Sequence, residues 1–194
     1  MVETAKDLKA KGALLVPLAV IINSMKGVNW AAEGNLTEEE LRNISKGILA
    51  SQWYPRDLLE RMGMAVYNIA GGGKAEGGFQ FGQGIMAEKL LKIYRNPLTE
   101  NSPKEILSKF AYFYNGTWFN TGHAEFTIVD KGGVFAIKDQ DGIPCQVCFV
   151  PMMRGVFTRL VKENGGKNVK VEAVEEPLIL KQKINTLTLK IYWE

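Results

Sequence analysis

The chain has 194 residues, 46% of them hydrophobic and 23% charged, with a net charge of +3. These are ordinary globular values that allow a sizeable core and do not force a division into two domains, so residues 1–194 are read as one domain. The charge is too small and too evenly spread for nucleic acid: Lys162, Lys167, Lys170, Lys181 and Lys183 alternate with Glu163, Glu172, Glu175 and Glu176, the pattern of a solvated face. Two cysteines three positions apart supply no disulfide framework, and the N-terminus has no signal-peptide pattern. The apolar run Ala13–Ile22 is about half the length of a membrane span and is interrupted by Pro17. A soluble protein of a reducing compartment, cytoplasmic and without a membrane span, is the expectation.

The first predicted element with a clear start is a short helix opened by the capping-box pair Thr37 and Glu40. Ile48–Pro55 then forms a corner between two amphipathic patterns. Pro55, with fixed φ and no N–H, suits the start of a new helix and pushes Tyr54 toward an extended conformation. After it, Leu58, Leu59, Met62, Ala65, Val66 and Ile69 mark one helical face, ended by Gly71-Gly72-Gly73. A third helix is predicted from about Phe79 to Arg95, with Gly78, Gly82 and Gly84 permitting close packing. Ser102-Pro103-Lys104-Glu105 starts a fourth, carrying Ile106, Leu107, Phe110, Phe113 and Tyr114.

Beyond Asn115 the period changes to two. Ala124, Phe126 and Ile128 alternate with Glu125 and Thr127, a Gly132-Gly133 turn follows, and Val134–Lys138 completes a hairpin. A helix near Pro151–Glu163 stops at Gly165-Gly166. Val169, Val171 and Ala173, then Leu187, Leu189, Ile191 and Trp193, make two closing strands. The order predicts an α+β fold: a mainly helical part (1–115) packed on a four-stranded, mainly antiparallel sheet of β-β-α-β-β form (116–194).

Several residues invite a chemical reading. Cys145 and Cys148 form a C-x-x-C that the periodicity places at the end of an apolar strand, before Pro151 opens the helix. Such a pair serves as small buried hydrophobes, as a redox couple, or as half of a metal site. A metal would need two more ligands, and the only histidine, His123, shares strand parity with the polar Glu125 and Thr127. No serine stands in a nucleophile-elbow pattern, so no catalytic triad is expected. The glycines of 71–84 match neither a phosphate loop nor a dinucleotide loop. The aromatic residues cluster in the helical half and at the junction with the sheet, from Trp53 and Tyr54 through Phe79, Phe81, Tyr94 and Phe110 to Tyr112, Phe113, Tyr114, Trp118 and Phe119. Most belong to a core; a cavity between helices and sheet would use the same residues, with Met62, Met64, Met86, Met152 and Met153 as adaptable walls.

The corner Ile48-Leu49-Ala50-Ser51-Gln52-Trp53-Tyr54-Pro55 carries a resemblance. So do Gly71-Gly72-Gly73, Gly82, Tyr94-Arg95, Tyr114-Asn115-Gly116, Cys148 with Gly155, Gly165, Asn168–Glu172 and Trp193. From about residue 11 onward the chain resembles an uncharacterised bacterial family, abundant in myxobacteria, with an Ile-Leu-Ala-Ser-x-Trp-Tyr-Pro motif. That family is similar to the four-vinyl-reductase-like and haem-nitric-oxide-binding-like small-molecule-binding superfamily. The resemblance implies a ligand-binding, sensory or scaffolding module. Two departures accompany it. Where the vinyl-reductase-like pattern has two more cysteines around a Gly-Asp turn, this chain has Glu176-Pro177 and Lys181–Asn185. The helical histidine and the Tyr-x-Ser-x-Arg motif of the haem-binding relatives are absent, so haem is not supported and the cofactor is open.

The function expected from these readings is a non-enzymatic small-molecule-sensing or binding domain with an apolar pocket between helices and sheet. Trp53, Tyr54, Phe81, Met86, Tyr94 and Trp118 would line it, with Cys148 near the mouth. No catalytic or metal-ligating residues are assigned. The alternatives are a homodimeric interaction or scaffold module without a ligand, its exposed patch around Trp30 or the Trp53-Tyr54 corner, and a redox or metal-linked protein using Cys145 and Cys148.

Overall fold

A computed structural model describes residues 7–95, 98, 101–174 and 183–194. Glu175, Glu176, Pro177 and Lys181 of the sequence reading lie outside the described residues. The element order is β1 (Lys9–Lys11), α1 (Gly12–Ser24), α2 (Trp30–Gly34), α3 (Glu38–Lys46), β2 (Trp53–Pro55), α4 (Arg56–Ile69), α5 (Ala75–Phe81), a π-helical turn (Gly82–Met86), α6 (Ala87–Ile93), α7 (Pro103–Tyr114), β3 (His123–Val129), β4 (Gly132–Lys138), α8 (Gln146–Glu163), β5 (Lys170–Ala173) and β6 (Thr186–Tyr192). The fold is α+β, as the change of period predicts.

Strands β3 to β6 form one antiparallel sheet in the order β3-β4-β6-β5. The hairpin turns at Asp130-Lys131, two residues earlier than predicted, so that Val129 pairs with Gly132. Gly133 is then inside the strand, where a Cβ would stand 2.2 Å from the Phe126 ring. One face of the sheet presents Ala124, Phe135, Ile137, Leu187, Leu189, Ile191 and Val171 to α7 and α8, all buried. Three rings lock that layer: Phe110 of α7, Phe157 of α8 and Phe135 of β4 have centroids 4.7–5.9 Å apart. Ile128 and Val129, at the far end of the edge strand β3, extend past this cover and are exposed.

The apolar run read as too short to span a membrane is α1, buried on nearly all sides, as expected of a helix that is hydrophobic all round. The two-stranded ribbon of β1 and β2 explains the Trp-Tyr-Pro corner. Trp53 pairs with Lys11 and Pro55 with Lys9, so Tyr54 is extended and Arg56 begins α4. Leu49 donates its N–H to the Tyr54 hydroxyl at 3.0 Å, and a Cβ on Gly12 would lie 2.8 Å from the Tyr54 ring. The corner therefore seals the start of α1.

Helix α3 opens with the predicted capping box: Glu40 N–H donates to Thr37 Oγ1 (3.1 Å) and Thr37 N–H to Glu40 Oε2 (2.8 Å). Glu40 also accepts two hydrogen bonds from the Arg61 guanidinium of α4, at 2.6 and 3.0 Å. That guanidinium holds the Glu40 carboxyl at about 2, well below the ordinary carboxylate range. A depressed carboxylate pKa stabilises the folded state above its unfolded value, and the stabilisation is lost as pH falls through the folded one. The pair is partly solvated, so its worth is about 1 kcal/mol after screening. Acid unfolding followed by circular dichroism is expected to show this increment vanishing between pH about 4.5 and about 2. Glu40→Gln should abolish that part of the pH dependence.

The third predicted helix starts earlier than Phe79, at Ala75, and runs through the π turn into α6. Its glycines lie inside it and set its contact with α8. A Cβ on Gly78 would stand 3.0 Å from Pro151, and one on Gly82 only 2.0 Å from the Met152 carbonyl oxygen. From the other side, a Cβ on Gly155 would lie 2.1 Å from the Phe79 carbonyl oxygen. Gly84 has nothing within 4 Å and takes no part in the crossing.

Helix α8 departs most from expectation. It begins at Gln146, so Pro151 is inside the helix rather than at its start. Only the Val147 carbonyl loses an intrahelical partner, which a proline in the sixth position of an 18-residue helix makes tolerable. The consequence is chemical: Cys145 and Cys148 open a long helix instead of ending a strand.

Candidate functional site

Helices α1, α4, α5, α6, α7 and α8, the π turn and the α7–β3 connection surround a cavity of about 320 Å³. Leu14, Leu18 and Ile21 come from α1, Leu59, Glu60, Gly63, Val66 and Tyr67 from α4, and Phe81, Ile85 and Met86 from α5 and the π turn. Phe110, Tyr114, Trp118 and Phe119 close one end; Cys145, Cys148, Phe149, Met152, Met153 and Val156 form the α8 wall. The sequence places the pocket between helices and sheet. In the structure none of the lining residues comes from a strand, because the aromatic layer of Phe110, Phe135 and Phe157 already fills the space over the sheet.

Of the seven residues expected at the pocket, Phe81, Met86, Trp118 and Cys148 line this cavity and Trp53, Tyr54 and Tyr94 do not. Trp53 faces outward, 39% exposed, with the Lys11 ammonium 4.2 Å from its ring centroid. Tyr54 is held by the corner it caps. Tyr94 packs behind the wall, 5.0 Å from Phe113 and 5.7 Å from Trp118 between centroids. Cys148 is buried rather than at the mouth, and Cys145 is the more exposed of the two. Met62 and Met64 are not lining residues, whereas Met86, Met152 and Met153 are. Trp30, offered as an exposed patch, is buried; exposure at the corner belongs to Leu49 and Trp53.

The cavity is apolar with a few polar atoms. Tyr114 is 1% exposed and its hydroxyl has no hydrogen-bond partner among the described residues. Burial pushes its phenol well above the ordinary range, with the Asp139 carboxylate adding to the rise. The Cys148 thiol donates to Cys145 Sγ at 2.9 Å. This contact draws Cys145 below the ordinary thiol range, against the effect of burial, and pushes Cys148 well above it. Cys145 has φ 36° and ψ 56°, left-handed values that cost a non-glycine residue about 1–2 kcal/mol. The strain sits at the residue just before α8.

The loop before Cys145 is anchored by a buried ion pair that sequence reading missed. Arg56, 1% exposed, donates through Nη1 to Asp139 Oδ2 (2.9 Å), through Nε to Glu60 Oε1 (2.8 Å) and through Nη2 to the Gly142 carbonyl. Asp139 also accepts from Thr121 Oγ1 and from the Asp141 N–H. Arg56 thus ties the start of α4 to residues 139–142 and fixes the cavity-lining carboxylate of Glu60. One signal was present: an arginine in the first turn of a helix opposes the macrodipole, so a carboxylate partner elsewhere was required.

No family model matches this sequence. No curated protein matches it either. Solved structures do match in fold. One, from a study of haem distortion in the H-NOX family, aligns with a TM-score of 0.61 at 12% identity over 95% of both chains. An oxygen-binding H-NOX domain related to soluble guanylate cyclases, in its oxygen complex, aligns at 0.59 and 14% identity, again over 95% of both. An H-NOX protein from S. oneidensis aligns at 0.60 and 11% identity, over 95% of this chain and 96% of that one. The fold is H-NOX-like.

Haem, which the first of these neighbours' descriptions names, does not fit the residues present here. His123 stands exposed on β3 with Nε2 3.2 Å from Glu125 Oε1, and it is not among the lining residues. Among the described residues no lysine or arginine lines the cavity to receive a porphyrin's carboxylates, and the one charged residue among them that does, Glu60, would repel them. Among the described residues no group of three or more His, Cys, Asp or Glu side chains could hold a metal ion.

Proposed function

We propose that this protein is a non-enzymatic small-molecule-sensing or binding domain whose ligand is an uncharged, largely apolar molecule bearing one hydrogen-bonding group. The observation that carries the reading is an apolar cavity of about 320 Å³ whose wall includes Tyr114, a residue with a buried hydroxyl that has no partner among the described residues. A buried polar group without a partner is costly, and a ligand that satisfies it recovers that cost. The volume is at the small end of ordinary ligand sites, which favours a compact molecule. The H-NOX-like fold and the resemblance to the bacterial Ile-Leu-Ala-Ser-x-Trp-Tyr-Pro family both support a sensory role. Binding would act by favouring one seating of α8 against α5 over another, through different affinity for the two packings. A cytoplasmic setting belongs to the same proposal; among the described residues no helix is long and apolar enough to cross a membrane.

Calorimetric titration with benzyl alcohol and with toluene tests this reading. Both are expected to bind, the alcohol about tenfold more tightly, the worth of one hydrogen bond to a buried partner. Tyr114→Phe should remove the difference while leaving toluene binding in place. Absence of binding by either compound, with a bare mass in native mass spectrometry, would sink the proposal. The second reading, a homodimeric or scaffolding module without a ligand, draws support from the exposed Leu49 (57%) and Trp53 (39%) at the corner.

A further inference from the structure

We propose that Cys145 and Cys148 form a reversible dithiol–disulfide couple in the cavity wall, in which Cys145 attacks small, uncharged disulfides and Cys148 resolves the adduct. The two Sγ atoms are 2.9 Å apart, so closure to a disulfide bond of about 2.05 Å needs a shift of under about 1 Å. Cys145 caps the N-terminus of an 18-residue helix and is partly exposed, whereas Cys148 lies buried behind it. Both line an apolar cavity of about 320 Å³, a space of the size that receives a small molecule, whose wall also includes Tyr114. The lowered Cys145 and raised Cys148 divide the labour between nucleophile and reserve thiol.

The steps balance. The Cys145 thiolate attacks one sulfur of R–S–S–R, a mixed disulfide forms, and R–S⁻ leaves. Cys148 gives up its proton to the departing thiolate through solvent and attacks Cys145 Sγ, expelling the second R–S⁻, which takes a proton from water. Two protein thiols are oxidised by two electrons and one small disulfide is reduced to two thiols. The selectivity comes from Glu60, the one charged lining residue among the described residues, whose carboxylate raises the energy of negative charge beside Cys145. An anionic disulfide is therefore disfavoured. The couple rests on the geometry of the wall and not on what occupies the cavity, so its failure and the failure of the binding proposal are separately visible.

The test mixes the reduced protein with hydroxyethyl disulfide or with glutathione disulfide, quenches with acid and reads intact mass after alkylation. The wild type is expected to end as an intramolecular disulfide, two hydrogens lighter. Cys148→Ser should accumulate the mixed disulfide on Cys145, and Cys145→Ser should react at least about tenfold more slowly. Hydroxyethyl disulfide should outpace glutathione disulfide at low salt, and Glu60→Gln should narrow the gap. On the wild type alone, peptide mapping of limiting iodoacetamide should find Cys145 labelled before Cys148. The proposal is overturned if the wild type stops unmodified or as a mixed disulfide, or if Cys148 is labelled first.

Discussion

Replacing Gly155 by alanine is expected to destabilise the protein by at least about 3 kcal/mol, at the upper end of overpacking effects. The added Cβ would lie 2.1 Å from the Phe79 carbonyl oxygen and 2.6 Å from the Gln83 backbone nitrogen. Both are backbone atoms, so no side chain can swing aside; α8 and the α5–π segment must separate, and the apolar contacts between them go with that movement. For a domain of this size the loss corresponds to a fall in Tm of roughly 6–12 °C. Gly84→Ala is the matched control. It adds the same methyl group to the same segment with nothing within 4 Å, and it should be neutral or stabilise by up to about 1 kcal/mol. Equal melting temperatures for the two variants would show that the helix crossing is not as close as the structure has it.

The second large effect is expected at Arg56. Arg56→Met should cost about 3–5 kcal/mol, because it leaves the Asp139 carboxylate, 1% exposed, without its cation. The double variant Arg56→Met with Asp139→Leu should recover most of that loss, since an apolar pair of similar volume avoids the desolvation that a buried ion pair incurs. Denaturant titration of the two single variants and the double variant gives the coupling directly. If the double variant is as unstable as the sum of the singles, the pair contributes through its remaining partners, Glu60, Thr121 and the Gly142 carbonyl, rather than through mutual neutralisation. Thiol reactivity is a second readout. The loop that Arg56 anchors leads into Cys145, so Arg56→Met should also change the rate at which Cys145 is alkylated.

Period-two alternation marked all four strands of the large sheet, and the 3-and-4 spacing from Leu58 to Ile69 marked α4, because each of these elements buries one face. The ribbon of β1 and β2 was not legible: three residues against three carry no period, and Trp53 and Pro55 are exposed. The start of α8 was misplaced because Pro151 was read by the rule that proline opens helices, whereas here its ring packs on Gly78 from within the helix. That error moved the cysteine pair from a helix start to a strand end and hid its geometry. For the cavity, Phe81, Met86 and Trp118 were named with Tyr94, which packs behind the wall. Residues that face a void and residues that face each other have the same composition. Arg56 and Asp139 are 83 positions apart, and only the misfit of a cation at a helix start pointed beyond the local sequence.

Phe81 and Met86 both face the cavity, yet they are five positions apart, a spacing that would turn them about 140° from one another on a regular α-helix. The π-helical turn at Gly82–Met86 absorbs the extra residue and returns both side chains to one wall. Residue counting, as much as residue type, therefore maintains the pocket. Deleting a single position between Gly82 and Met86 would return the segment to a regular α-helix, with Phe81 and Met86 four positions apart and still on one face. One further insertion would instead turn Met86 and the whole of α6 about 100° out of register with Phe81. The wall therefore tolerates the loss of its extra residue better than the gain of a second one.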